Sequence, residues 1–350
     1  MSQGSPRAWG DAVGSAVLRS VPDDFLVSEE LGFELAGEGE HVFLYLQKTG
    51  LNTAELQQRL SSLSGVHPRD IGYSGMKDRN AVTRQWFSVG MAGRPEPPWQ
   101  QLESSGDVQV LSVQRHLRKL RRGVHRANRF RLRLRNVCGE RDALQARLCQ
   151  LRDGGAPNYF GEQRFGRNGS TLQAARTWME SGGRRVSRAR RGLYLSALRA
   201  HVFNALLGER VAAGTWNTIV DGDVCLLQGT RSHFRCEAAD ETLQQRAAEG
   251  DLHPALPLWG RGLSAADGAL AGASDVLAEC DEICRFLDVT GLTPEWRAAR
   301  LLADDFCWQF CDDDYLQLDF ALGAGAFATA LLAEFVQYTQ GDSGSDKGSE

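Results

Sequence analysis

The chain has 350 residues, of which 42% are hydrophobic and 24% charged, and a formal net charge of −4 at pH 7. These values are typical of a globular protein with room for two domains, each with its own core. The negative charge argues against a protein that coats nucleic acid indiscriminately, and the lack of any apolar run of about 18 residues excludes a membrane-spanning helix.

The N-terminal third has the pattern of a small sheet with one helix. Its first residues lack the apolar core of a signal peptide, so we expect a cytoplasmic protein. Residues 21–31 and 41–47 have the pattern of short strands, and the GEGE turn between them predicts a β-hairpin. Residues 52–64 predict an amphipathic helix, because Leu56, Leu60 and Leu63 recur at helical spacing.

The stretch SGMKDRNAVTRQWFSV, residues 74–89, predicts a glycine turn followed by a strand. The turn carries Lys77, Asp78 and Arg79 side by side. These can be ordinary solvated charges of a surface loop. Alternatively, Asp78 is a carboxylate held ionised between two cations and directed at a substrate.

The most basic segment is residues 115–135, which contains ten Arg or Lys, two His and no acidic residue. Its end, RFRLRLR, alternates strictly, so Phe130, Leu132 and Leu134 should face a core. The opposite face then carries Arg129, Arg131, Arg133 and Arg135. A solvated face would normally mix both charge signs, so the absence of acids favours a polyanionic partner such as a nucleic acid.

The second half predicts a different, helix-rich region that begins near Gly155. We expect helices over residues 275–288 and 294–305, and a strand over residues 314–322 that leads into a helix. A flexible cationic loop precedes the helix at 193–207, with Arg184, Arg185, Arg188, Arg190 and Arg191. Neither a dinucleotide-binding nor a P-loop motif is complete, so no nucleotide cofactor is expected.

Four of the eight cysteines form two C-x3-C pairs, Cys280 with Cys284 and Cys307 with Cys311. This spacing places both sulfurs of a pair on one face of a helix, where they could hold zinc. Buried, reduced thiols are the preferred interpretation, so we expect no metal.

Several of these stretches together resemble the tRNA pseudouridine synthase D family (TruD family). The resemblance covers nearly the whole chain in family order. It is carried by PDDFLVSE (22–29), GMKDRNAVTRQ (75–85), RANRF (126–130), PNYFGEQRFG (157–166), LSALRAHVFN (195–204) and GAGAFAT (323–329). The chain departs from the family where GAGAF lacks the proline that often precedes the glycine.

The resemblance implies an α/β (α+β) fold, with a mixed, mainly antiparallel sheet in the catalytic domain. That domain would comprise residues 1–155 and 304–340, around an inserted TRUD domain at 156–303, with a disordered tail at 341–350. It also implies isomerisation of uridine 13 in the D-arm of tRNA to pseudouridine, without cofactor or metal. The expected partner is tRNA, and we expect a monomer.

The same resemblance implies roles for individual residues. Asp78 would be the catalytic aspartate, as nucleophile or base, acting on a flipped-out nucleotide. Phe25, Asn128 and Phe327 would contact the substrate. Arg19 resembles the basic residue that pairs with the aspartate. Independently of the resemblance, we expect Lys77 to order the loop or to bind a phosphate of the substrate. We expect Arg129, Arg131 and Arg133 to hold the RNA backbone.

Two other functions stay open at this point. A catalytically silent RNA-binding or folding factor could use the same basic surface. A glycoside or nucleoside hydrolase could use Asp78 as its nucleophile, although a retaining hydrolase needs a second carboxylate that the sequence does not place.

Overall fold

A computed structural model of the chain describes residues 5–264, 267–270, 272–311 and 315–341. The helices are α1 (Thr53–Ser64), α2 (Arg141–Gly154), α3 (Ser170–Glu180), α4 (Arg188–Ala212), α5 (Glu241–Ala248), α6 (Ser274–Glu279), α7 (Asp281–Val289) and α8 (Ala328–Ala333). The strands are β1 (Ser15–Leu18), β2 (Phe25–Leu31), β3 (His41–Thr49), β4 (Ile71–Tyr73), β5 (Val82–Gly90), β6 (Val108–His116), β7 (His125–Cys138), β8 (Ala156–Pro157), β9 (Val224–Leu227), β10 (His233–Arg235), β11 (Leu252–Leu258), β12 (Glu295–Ala298), β13 (Arg300–Leu301), β14 (Asp304–Cys311), β15 (Tyr315–Gly323) and β16 (Gln337–Gln340).

The chain divides into two compact units, each built from separate segments. The helical unit consists of Met1–Val13, Glu140–Leu302 and Ala326–Val336, and the sheet unit of Gly14–Gly139, Ala303–Gly325 and Gln337–Glu350. The helical unit therefore begins before the expected boundary near Gly155 and includes pieces from both chain ends. The assignment of a catalytic domain and an inserted domain stays a prediction. The expected disordered tail lies, apart from Gly341, outside the described residues.

The sheet unit is one mixed, mainly antiparallel sheet, as the fold prediction required. Its main strand order is β14-β15-β7-β2-β5-β3-β6. Strand β5 pairs in parallel with β2 and antiparallel with β3. The predicted hairpin of β2 and β3 is therefore wrong, because β5 lies between them. Most residues of β5 are buried, so both of its faces need cover and a central position suits it.

Strand β7 crosses the middle of this sheet, and its alternation matches the prediction. Phe130, Leu132 and Leu134 are buried in the core. Helix α1 packs the predicted leucines Leu56 and Leu60 into a second cluster, with the apolar side chains of β3 and β5. Burial of leucine side chains of this kind stabilises the fold by about 1.5 to 3 kcal/mol each.

The helical unit is organised around α4, which buries apolar residues along most of its length. Strands β10, β9, β11 and β12 form a second sheet. The predicted helix over residues 294–305 is wrong, because residues 295–298 pair with β11 and residues from Asp304 onward belong to β14. Cys307 and Cys311 consequently lie in a strand rather than a helix. Within the described residues, no helix is both long and apolar enough to span a membrane.

Candidate active site

The topology of the sheet unit brings the segments that precede β2 and β5 together. Leu26 of β2 and Thr49 at the end of β3 both pair with Val82, the first residue of β5. Because β2 and β5 run parallel in this register, the segments that precede them lie at the same end of the two strands. Arg19 lies in the first segment and Asp78 in the second.

Asp78 and Arg19 form an ion pair at this end of the strands. Nη2 of Arg19 donates to Oδ2 of Asp78 over 2.8 Å, and the Asp78 side chain is 33% exposed against 10% for Arg19. Arg19 has a positive φ of 59°, which non-glycine residues adopt at an energetic cost. Its guanidinium also lies 3.9 Å from the centre of the Phe25 ring. The carboxylate is thus oriented by a fixed cation and remains accessible.

The cations that flank Asp78 in the sequence have other partners, which corrects the idea of a carboxylate held between them. The Lys77 ammonium forms a buried ion pair with Glu29, at 2.8 Å. Burial raises the pKa of Glu29, and Lys77 opposes that rise. Nε of Arg79 donates to the carbonyl of Gly50. Both residues hold the loop, and the 7% exposure of the Lys77 side chain gives no support to direct substrate binding.

Lys48 is a functional candidate that sequence reasoning missed. It is fully buried in β3, and its ammonium donates to the backbone carbonyls of Leu51, at 2.6 Å, and Asp78, at 3.0 Å. Burial lowers its pKa to about 8, while Asp78 raises it and Lys77 lowers it further. The sequence feature that could have revealed it is a lysine inside the mainly apolar strand FLYLQKT, because lysines are rarely buried without a specific partner. It fixes the backbone from which the Asp78 side chain projects.

Phe25 and Asn128 also lie in the sheet unit, where β2 and β7 pair. Phe25 is 3% exposed, packs edge-on against Phe130, and has Arg19 over one face, so that face is occupied in this structure. The Asn128 amide nitrogen lies 3.2 Å from Nε2 of His125. Its amide oxygen is buried and has no hydrogen-bond partner among the described residues. A hydrogen-bond donor on a bound ligand would satisfy that oxygen.

The arginines of β7 meet carboxylates from neighbouring strands. Arg129 pairs with Glu30 and Asp305, Arg131 with Asp319, and Arg135 with Asp24. The argument that an acid-free segment carries uncompensated charge is therefore wrong for these three arginines. Arg133 differs, since it lies over the ring of Tyr315 and pairs with no carboxylate among the described residues. Their assignment to the RNA backbone stays a prediction, with Arg133 as its best member.

Phe327 lies in the helical unit, immediately before α8. Its half-buried ring packs edge-on against Phe160 at a centroid distance of 5.9 Å. Among the described residues no cluster of three or more His, Cys, Asp or Glu could hold a metal ion. Cys280 and Cys284 are buried, and burial raises the pKa of both thiols.

The fold has a match among solved structures. A solved structure described as a putative tRNA pseudouridine synthase D (TruD) from Methanosarcina mazei aligns with 95% of this chain and 95% of its own, with a TM-score of 0.67 and 20% identity. At that identity the match establishes the fold alone.

The sequence comparisons are more specific. A family model described as tRNA pseudouridine synthase D (TruD) matches residues 10–179 and 170–335. A protein named tRNA pseudouridine synthase D from Methylococcus capsulatus is 45% identical, over 95% of this chain and 94% of its own length. One of the same name from Pseudomonas aeruginosa is 42% identical, over 95% and 93%. The chain therefore belongs to the tRNA pseudouridine synthase D family, as the motifs indicated.

Proposed function

We propose that the protein isomerises uridine 13 in the D-arm of tRNA to pseudouridine, with Asp78 as the catalytic residue. Membership of the family and the names of its relatives support a tRNA substrate. The observation that carries the role of Asp78 is its geometry: an accessible carboxylate, paired with Arg19, on a loop held by buried Lys48. Such a supported side chain keeps its position while the substrate reacts.

The reaction requires no other reactant. The bond between C1′ and N1 of the uridine breaks, the uracil rotates, and C1′ joins C5. C5 then loses its proton and N1 gains one, so the composition is unchanged. Asp78 either attacks C1′ to form a covalent adduct, or removes a ribose proton to give a glycal. Arg19 would act as a positioning residue that holds the carboxylate in its reactive orientation.

A uridine must leave its stack before Asp78 can reach C1′, which costs a few kcal/mol. We assign the unpartnered oxygen of Asn128 to the uracil edge, because it is a buried acceptor that the described protein leaves unsatisfied. Phe25 and Phe327 remain proposed aromatic contacts. Arg19 covers one face of the Phe25 ring, so a base would stack on that face only if the guanidinium left the ring while keeping its contact with Asp78.

The test is to incubate the purified protein with tRNA that lacks the modification and to map pseudouridine at single-nucleotide resolution. We expect product at position 13. Asp78→Asn should lower the rate by at least about 10³-fold, because it removes the reacting carboxylate. Its affinity for tRNA should stay within about three-fold, since phosphate contacts dominate binding.

The matched control is Asp70→Asn, an exposed carboxylate just ahead of β4 with the same change in charge. This variant should keep wild-type activity. Full activity in Asp78→Asn would remove Asp78 from the mechanism. Tight tRNA binding by the wild type without product would instead favour a silent RNA-binding factor.

A further inference from the structure

The helical unit contains a cavity of about 300 Å³ beside the first turns of α4. Its size is at the lower end of the range for small-molecule pockets, about 300 to 1,000 Å³, which suits one nucleotide rather than a folded segment. Its wall combines arginines, one hydroxyl and apolar side chains. It is lined by Phe160, Arg188, Arg191, Gly192, Leu195, Ser196, Arg199, Leu258 and Leu292.

The charged residues of this wall are all cations. Arg188 and Arg191 are exposed, and neither forms an ion pair with a carboxylate in the part of the chain that the structure describes. Nη2 of Arg191 donates a long hydrogen bond, of 3.4 Å, to the carbonyl of Thr290. Arg199 is held by the carbonyls of Leu258 and Thr293. It is the member with an acidic neighbour, the exposed Glu295 at 3.3 Å.

Two further arginines raise the positive potential behind the wall. Arg297 lies 4.1 Å and Arg164 5.1 Å from the centre of the Phe160 ring. Nη1 of Arg164 donates to Ser196, another wall residue, at 2.7 Å. Burial lowers the pKa of Arg164, and burial together with Arg164 lowers that of Arg297 to about 9. Like charges placed this close favour an anion nearby, since it would offset their repulsion.

Gly192 leaves the backbone of α4 accessible from the cavity. It lies inside α4, where glycine is less favourable than alanine by about 1 kcal/mol. Its φ is not in the left-handed region, and a Cβ atom built on it meets no protein atom within 4 Å. Neither backbone strain nor packing within the chain therefore requires glycine. A glycine also permits close approach of a ligand to the backbone, and this one faces the cavity.

We propose that this cavity binds one nucleotide of the RNA substrate. Arg188 and Arg191 hold its phosphate, because the planar guanidinium matches phosphate oxygens with paired hydrogen bonds. Leu195, Leu258 and the Phe160 edge contact the base or ribose. A free inorganic anion would leave this apolar wall uncovered, and an apolar ligand would leave the arginines uncompensated. The assignment of RNA as the source rests on the proposed function.

The decisive test fills the cavity without changing any charge. Gly192→Leu places a side chain in the cavity, whereas Gly192→Ala adds a single methyl group and is the matched control. Both should fold with a melting temperature no lower than that of the wild type, because each removes a helical glycine. We expect Gly192→Leu to raise the Kd for tRNA about tenfold or more, and Gly192→Ala to raise it less than about threefold.

A second pair of variants separates the cavity from the cationic surface around it. Arg188→Gln combined with Arg191→Gln removes two wall charges, and Arg185→Gln combined with Arg190→Gln removes two exposed charges nearby that do not line the cavity. The wall pair should weaken binding more and reduce the slope of log K against log salt by about 0.7 to 0.9, the value for one phosphate. Equal effects of the two pairs, or unchanged tRNA affinity in Gly192→Leu, would overturn the proposal.

The outcomes also distinguish this site from the proposed activity. Loss of tRNA binding in Gly192→Leu, with no pseudouridine formed by the wild type, would support the cavity and refute the activity. Pseudouridine formation with unaltered tRNA binding in Gly192→Leu would refute only the cavity.

Discussion

Strand β7 and the first turns of α4 are both rich in arginine, but their guanidinium groups have different surroundings. In β7, Arg129, Arg131 and Arg135 pair with carboxylates from β2, β14, β15 and the turn before β2. At the start of α4, Arg188 and Arg191 have no carboxylate partner among the described residues. A strand is flanked by other strands that are remote in sequence, so its charges can be balanced from a distance. The exposed end of a helix has fewer such neighbours.

At neutral pH we expect the largest change in stability at the ion pair between Arg135 of β7 and Asp24. Arg135 binds Asp24 through three hydrogen bonds, and the Asp24 side chain is fully buried. Arg135→Gln should lower the free energy of unfolding by about 2 to 3 kcal/mol, because it leaves a buried carboxylate without its cation. Arg188→Gln should change it by less than about 0.5 kcal/mol. Urea unfolding of both variants measures the difference, and equal values would remove the contrast.

Lys48 is a cation of the sheet unit that differs from the paired arginines of β7, because its ammonium donates to backbone carbonyls. Lys48→Met retains the length of the side chain but releases the Asp78 loop. We expect kcat to fall about 10- to 100-fold with KM within about threefold, since a loosened catalytic group loses rate rather than affinity.

The control for this prediction is the unfolding free energy of Lys48→Met. It should not fall by more than about 1 kcal/mol, because the substitution also removes a buried charge. A large loss of stability with unchanged kcat would make Lys48 a purely structural residue.

Arg133 is the member of β7 that most resembles the α4 arginines, because no carboxylate among the described residues pairs with it. Arg133→Gln should reduce the salt dependence of tRNA binding by about 0.7 to 0.9 in slope. Arg131→Gln, next to it on the same face, should change the slope less, since Asp319 already balances that charge. Binding titrations at several salt concentrations test this, and a larger effect at Arg131 would contradict it.

The last prediction concerns the pH dependence that arises from His125, at the first position of β7. Burial, with a contribution from Lys77, lowers its pKa from the usual 6.5 to about 4. The unfolded chain therefore binds a proton more readily than the folded protein between these values. The stability that depends on neutral His125 should be lost as the pH falls from about 6.5 to 4.

His125→Gln provides the control for this pH dependence. The difference in unfolding free energy between wild type and variant should shrink as the pH is lowered through this range. Ser74 and Asn128, which contact the imidazole, do not titrate there. Parallel stability curves for the two proteins would contradict the prediction.

Much of the local structure could be predicted. Helix α1, the alternation of β7, and the position of Asp78 on a loop ahead of a strand all follow short-range patterns that the structure retains. The family followed from six motifs in order. The failures were non-local: β5 separates β2 from β3, and residues 295–298 form a strand because β11 pairs with them. Periodicity describes how one segment can bury its own side chains, but not which segment will lie beside it.

The candidate site divides in the same way. The amino-acid sequence by itself determined most of the candidate residues, because an aspartate in a glycine turn and the arginine-rich stretches are properties of the chain. Only the tertiary structure decided which charges meet. It paired Asp78 with Arg19 and Lys77 with Glu29. It also placed the Lys48 ammonium against the backbone of the Asp78 loop, and it paired most of the β7 arginines with carboxylates. Charge compensation depends on distances between groups, and folding sets those distances between residues far apart in the sequence.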